Sequence, residues 1–192
     1  MTARTHDLTA ISTLAIVFAS TSISSITLPT VILAIFANLI GGIAPDIDQP
    51  TAPFWRNLPV GKYLGKIFDK LLGGHRFISH SIIGLALFGF LFHLLLVFLH
   101  PIIPHVNEGY VWWAFMIGMA THLVMDTLTK EGVPWLLPIP FKFGFPPIKA
   151  WRITTGKWVE IWAIFPLILI IDMWLALHYN NHIIYLLHNK VI

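Results

Sequence analysis

The chain has 192 residues, of which 56% are hydrophobic types and only 11% are charged, against about 25% charged in a soluble domain; this excludes an ordinary soluble protein and indicates an integral membrane one. With no cysteine, disulfide scaffolding and thiolate metal ligation are excluded, so any metal must be held by His, Asp or Glu. The formal charge of +3 and a pI near 9.3 require no nucleic-acid partner, because basic residues facing anionic lipid produce the same excess.

Five apolar segments are each candidates to span a bilayer, which takes about 20 helical residues. They run roughly over 8–28, 30–45, 79–99, 110–128 and 161–179. They predict an all-α, polytopic membrane bundle forming a single domain over 1–192. The first segment is rich in Ser and Thr and is followed almost at once by the second, across "TLPT". A retained helical hairpin fits this better than a signal peptide. Its hydroxyl residues, Ser12, Thr13, Ser20, Ser22, Ser24 and Ser25, would let neighbouring helices approach closely. The second segment is short, so it is tilted or stops inside the protein.

Loop charge sets the orientation. Residues 49–78 carry Arg56, Lys62, Lys66, Lys70 and Arg76, and residues 129–157 carry Lys130, Lys142, Lys149, Arg152 and Lys157. The connection 100–109 has no Lys or Arg. The positive-inside rule makes the two basic loops cytoplasmic in a multi-pass inner-membrane protein, with the N-terminus and Arg4 inside.

Two loop stretches read as interfacial. "GKYLGKIFDKLLG", 61–73, places Tyr63, Leu64, Ile67, Phe68, Leu71 and Leu72 at helical spacing, with Lys62, Lys66, Asp69 and Lys70 opposite. It reads as an amphipathic helix in the headgroup plane, or as a short helix packed on its own loops. "FKFGFPPIKAW", 141–151, reads as an interfacial hairpin or lid.

The polar residues then fall into register. His6 precedes the first span and Asp46 and Asp48 follow the second. His75 and His80 lead into the third, and His122 and Asp126 end the fourth. All seven lie at the expected cytoplasmic end. His122 and Asp126, four apart on a helix, leave one face and can meet one ion or two neighbouring ions, although such a pair can also be merely hydrogen-bonded. In "PDID" the two acids alternate by two, so an extended stretch turns both to one side, and the plainer alternative is one capping and one solvated aspartate. Ser79 is a candidate cap for the third helix. Three or four His with three Asp form the nitrogen and oxygen set of zinc, with manganese and iron as alternatives. So many carboxylates at a membrane edge are costly without cations.

"TH" near the start, "PDIDQP", "GHRFISHS" and "HLVMDTLTKEGVPWLLP" closely resemble, in order and spacing, the YdjM-like family of membrane-bound metal-dependent hydrolases over about residues 1–160. That family is similar in turn to zinc-dependent phospholipases C and related nucleases. The resemblance implies that His6, Asp46, Asp48, His75, His80, His122 and Asp126 are metal ligands. Members often carry His after "PDID", where this chain has Gln49, and proline where it has Lys130.

With two or more ions in such a site, one activates water, another polarises the oxygen under attack, and a carboxylate takes the proton: Asp48, or Asp46. Arg76 either pairs with a phosphate through its planar fork or is an inside-positive anchor. Glu160 is a further ligand, a proton carrier or a capping acid. His93 is about 20 Å from His80 by helical rise, too far to join. His100, His105, His178, His182 and His188 read as interfacial. Asp172, mid-span, is either functional, protonated or bonded to a hydroxyl of the first helix.

The expectation is a hydrolase of an ester or phosphoester, with membrane lipid as environment and substrate, and with neither nucleic acid nor an obligate protein partner. The alternatives are a metal or ion transporter, or a protein whose metal is structural.

Overall fold

Backbone in lipid must satisfy its own N–H and C=O groups, so the apolar runs fold as helices. The computed structural model describes residues 1–21, 26–139, 141–180, 184, 185 and 188, and its regular elements are all helical. α1 runs over Ala3–Ser20 and α2 over Leu28–Ile43, which a 3₁₀ turn, Ala44–Asp48, extends. Two short helices follow, α3 over Pro53–Arg56 and α4 over Gly61–Leu71. After a 3₁₀ turn at Ile78–His80 come α5, Ile82–Leu99, and α6, Glu108–Thr127. A long loop with a 3₁₀ turn at Lys149–Trp151 leads to a π-helical opening, Glu160–Ile164, continued by α7, Phe165–His178.

Several boundaries differ from the expected ones for local reasons. α1 starts five residues before position 8, which draws His6 into the helix. "TLPT" does not merely link two helices: Thr27 caps α2 by accepting from Thr30 N, and Pro29 sits in the first turn, where no backbone donor is needed. Ser81, not Ser79, caps α5, accepting from Gly84 N at 3.1 Å. Ser22, Ser24, Ser25 and His182 lie outside the described residues.

Among the described residues, three stretches are long and apolar enough to cross a membrane: Leu28–Asp48, Ile82–Leu99 and Glu160–His178, with mean hydropathies of 1.9, 2.7 and 2.0. α1 and α6 are comparably long, but Arg4, His6 and Asp7 in one and Glu108, His122 and Asp126 in the other make them more polar.

α2 and α6 form the most extensive helix pair, α1 packs on both, and α5 covers α6. Glycines set how close α2 and α6 come. A Cβ on Gly41 would lie 2.1 Å from the Phe115 carbonyl oxygen, and one on Gly118 would lie 2.1 Å from that of Asn38. The two backbones therefore touch, as small residues permit in membranes. Asn38 Nδ2 donates to Ala114 O at 3.0 Å across the same contact. Ala37, Phe115, Met119 and Leu123 build the core beside it, with Leu96 from α5. α7 leans on α1, where Ser12 Oγ donates to Asp172 Oδ2 at 2.7 Å, which matches one of the three readings of that mid-span acid, a bond to a hydroxyl of the first helix.

α4 is helical where expected. Tyr63 and Leu71 on its apolar side are 72% and 69% exposed, while Gly65 seats it against Trp55. Residues 141–151 fold back on α6: Phe143 pairs with Val133, and Phe145 N donates to Thr127 O at 2.9 Å.

Candidate metal centre

The close α2–α6 contact brings the end of "PDID" beside the last turns of α6. The turn Ala44–Asp48 is 3₁₀ rather than extended, and at three residues per turn side chains two apart diverge by about 120°. Asp46 and Asp48 therefore do not face one side as alternation in a strand suggests. Trp55 Nε1, donating to Ile47 O at 2.9 Å, pins the turn.

Asp46 points into the bundle end. Its Oδ1 lies 3.8 Å from His80 Nε2 and 3.7 Å from His122 Nε2. Asp126 approaches the same two nitrogens from α6, with Oδ2 at 3.6 Å from His80 and 3.8 Å from His122. Tetrahedral zinc with ligands at about 2.0–2.2 Å has its donors about 3.3–3.6 Å apart. The four nitrogen-to-oxygen distances are within a few tenths of an ångström of that spacing.

The imidazole tautomers fit a cation. His122 Nδ1 lies 2.6 Å from Gly42 O, which can only accept, so Nδ1 carries a proton. Ser79 has one hydroxyl hydrogen, given to Asp48 Oδ2. Its oxygen must then accept from His80 Nδ1, 2.9 Å away. When neutral, both rings thus turn an Nε2 lone pair inward. His80 Nε2 and His122 Nε2 are buried and have no hydrogen-bond partner among the described residues. A fixed Nδ1–H with a free Nε2 is how metal-ligating histidines are oriented.

The neighbours extend the cluster in two directions. The His6 ring stacks on His122 with centroids 3.7 Å apart, and His6 Nε2 lies 3.2 Å from Asp126 Oδ1. The amino group of Met1 also contacts Asp126 Oδ1 and lies 3.0 Å from His6 Nε2, so a cationic nitrogen already sits against these two ligands. On the other side, Asp48 accepts from His75 Nδ1 at 2.7 Å and from Arg76 N at 3.1 Å. Three overlapping groups result, each with donor atoms within 4.8 Å of one another: His6, His122 and Asp126; Asp46, His80 and His122; Asp48, His75 and His80. All seven expected ligands are included.

Burial alone lowers the His80 pKa. Its contacts with Asp126 and Asp48, and the charges of Asp48 and Asp46, outweigh this and hold the imidazole above its ordinary value.

Two expected catalytic residues are otherwise engaged. The Arg76 guanidinium is buried and meets Asp126 Oδ2 at 2.5 Å, Thr129 Oγ1 at 3.0 Å and Gly132 O at 3.3 Å. The phosphate reading gives way to a bond that braces Asp126. Arg76 also has φ 60°, rare for a non-glycine residue, after Gly73 and Gly74 in the left-handed region. Glu160 joins none of the three groups. Its Oε1 accepts from Thr2 N, Thr2 Oγ1 and Thr5 Oγ1 at 2.6, 2.9 and 2.7 Å, and its Oε2 from Gly156 N at 2.7 Å. It is an anchor that ties α1 to the start of the last helix. Of the aspartates expected to act as base, Asp48 is buried with both oxygens bonded, whereas the Asp46 side chain is 21% exposed and borders an open cavity with His6, Asp7 and Asn57.

Sequence reasoning missed Ser79 and Gly42, which orient His80 and His122, and Thr129, which accepts from the Arg76 guanidinium. Ser79 was visible only as a possible cap, and a backbone oxygen leaves no signal in sequence.

The model of the YdjM inner membrane protein family matches residues 1–186. The uncharacterized protein YvsG of Bacillus subtilis (strain 168) is 27% identical over 115 residues, which cover 60% of this chain and 63% of that relative. The match thus spans less than two thirds of the relative's length. No solved structure matches this chain.

Proposed function

Because the chain belongs to the YdjM inner membrane protein family, we propose that it is a membrane-embedded, metal-dependent hydrolase of an ester or phosphoester, with zinc as the metal and a membrane lipid as substrate. One observation carries the reading: two buried imidazole nitrogens with no hydrogen-bond partner among the described residues, His80 Nε2 and His122 Nε2, converge on oxygens of Asp46 and Asp126. Nitrogen and carboxylate donors suit zinc, and manganese and iron accept the same set.

His80, His122, Asp46 and Asp126 would hold the ion, which would supply Lewis acidity and make a water molecule more acidic. Asp46 takes the proton, because it is the carboxylate of the group that reaches an open cavity. Asp48 acts through others, fixing His75 directly and His80 by way of Ser79. Arg76 neutralises Asp126 and holds its Oδ2 in place. In the same reading α1 and α6 cross with the three apolar stretches as a five-span bundle. The Lys and Arg of 49–78 and 129–157 set the centre at the cytoplasmic face.

The test is elemental analysis of detergent-purified protein, joined to a screen of lipid esters and phosphoesters before and after chelation. Turnover should vanish with the metal, return when it is restored, and be absent in His122→Ala with the fold retained. Undiminished turnover from metal-free protein would refute the reading.

A further inference from the structure

Two cavities share Ile43 and Phe54 in their walls. One, of about 270 Å³, carries the polar side chains of His6, Asp7, Asp46 and Asn57 in an otherwise apolar wall and reaches the centre through His6 and Asp46. The other, of about 250 Å³, is a groove between α2 and α5 walled by apolar side chains, among them Ile40, Ile47, Leu91, Phe92 and Leu95. Together they fall in the range of about 300–1,000 Å³ usual for ligand sites.

The lining of the groove selects its occupant. Its wall on α5 extends from Phe88 to Leu95, about 10 Å by helical rise, and every residue around it is apolar, which suits an extended hydrocarbon chain. The groove also lies between two stretches apolar enough to cross a membrane, so the chain reaches it from lipid without crossing water.

We propose that this groove seats the acyl chain of a lipid whose polar end is thereby presented to Asp46 in the adjoining cavity. The chain fixes the depth at which the ester or phosphoester linkage stands, so the substrate class is a lipid amphiphile rather than a soluble phosphate. Seating of the chain stands on the two cavities alone, while cleavage of the seated lipid rests on the hydrolase reading.

Leu91 is 51% exposed, so Leu91→Trp fills the groove without overpacking the core; Leu94, 48% exposed on the same helix but outside the groove, provides the control Leu94→Trp. The purified protein is irradiated with phosphatidylglycerol carrying a diazirine at the end of one acyl chain, and cross-links are located by mass spectrometry. Labelling should concentrate on Ile47, Leu91 and Leu95 and be competed away by unlabelled phosphatidylglycerol. It should fall about tenfold or more in Leu91→Trp and stay unchanged in Leu94→Trp, with the metal content of both variants native. Labelling spread evenly over Leu94, Phe98 and α7, or unaffected by Leu91→Trp, overturns the proposal. Saturable labelling of the groove in a protein that hydrolyses no ester or phosphoester upholds the lipid seat and removes the hydrolase reading. Where hydrolysis is found, Leu91→Trp should lose turnover of long-chain lipid and keep that of a short soluble ester.

Discussion

Ser79→Ala removes one oxygen that no metal would touch, yet it should weaken metal binding. The hydroxyl donates to Asp48 Oδ2 and accepts from His80 Nδ1 at 2.9 Å, so it fixes the tautomer that turns His80 Nε2 to the cluster. Without it, His80 loses the acceptor that holds its ring and tautomer. Losing such an outer partner typically costs 10–100-fold in metal affinity, or about 1.4–2.8 kcal/mol. The fold should suffer less. Asp48 keeps His75 Nδ1 at 2.7 Å and Arg76 N at 3.1 Å, so the stability loss should stay near the lower end of ~1–3 kcal/mol. Affinity is measured in detergent by competition with a chromophoric chelator, and stability by thermal unfolding of the metal-free protein. Ser81→Ala is the matched control. It removes the α5 cap, costing about 1 kcal/mol, but touches no ligand, so affinity should hold. An affinity in Ser79→Ala equal to that of the native protein would refute the orientation argument.

Gly118→Ala places a methyl group 2.1 Å from the Asn38 carbonyl oxygen, which cannot rotate away, so α2 and α6 must part. A loss of about 1–3 kcal/mol is expected, with weaker metal binding, and an unchanged unfolding temperature would contradict the close contact. Glu160→Gln offers an amide in place of the second oxygen that Gly156 N donates to, so thermal stability should drop by about 1–3 kcal/mol. Its metal content should stay native; a lost ion would make Glu160 a ligand rather than an anchor. His80, its pKa raised by the neighbouring aspartates, holds its proton more tightly than a free imidazole, and an ion must displace that proton. Metal affinity should therefore climb as pH rises through that pKa and then level off, while the metal-free protein loses the stability of protonated His80 over the same window. Titrations showing flat affinity from mildly acidic to alkaline pH would count against His80 as a ligand.

The helices and the grouping of the ligands were legible because lipid is an unforgiving solvent. Polar residues are costly within it, so most of them fall near helix ends, and the charges of the loops suggest which of these ends lie on the same side. His6, Asp46, His80 and His122 could be associated on this ground without any coordinates. What stayed hidden depends on side chains that meet only after folding. The stretch "PDID" carries no local signal for a 3₁₀ turn over an extended one; Trp55, eight positions beyond Ile47, decides it. In "ISHS" two serines compete to cap α5. Ser81 takes that role, while Ser79 bonds to Asp48, 31 positions away. Glu160 resembles a capping acid in sequence and becomes an anchor only because Thr2 and Thr5 arrive from the far end of the chain. Arg76 looked available for a phosphate because its carboxylate partner, Asp126, sits 50 positions downstream.

These hidden contacts share one electrostatic logic. Asp46, Asp48 and Asp126 are packed at the end of a bundle with Arg76 as the guanidinium among them, and only Asp46 has appreciable exposure. Carboxylates taken out of water are tolerated only when hydrogen-bonded and charge-compensated. Asp48 meets the first need through His75, Ser79 and the Arg76 backbone, and Asp126 meets the second through the Arg76 side chain. The Asp46 oxygen that faces His80 and His122 stands at 3.7–3.8 Å, beyond a hydrogen bond and at the spacing of two ligands of one ion. The glycine-to-backbone contact of α2 with α6 holds it there, since any slack in that pair would let the acid swing out to water. A divalent cation would satisfy at once the two imidazole lone pairs and the Asp46 oxygen that faces them, so the tightness of the helix pair and the chemistry of the centre form one arrangement.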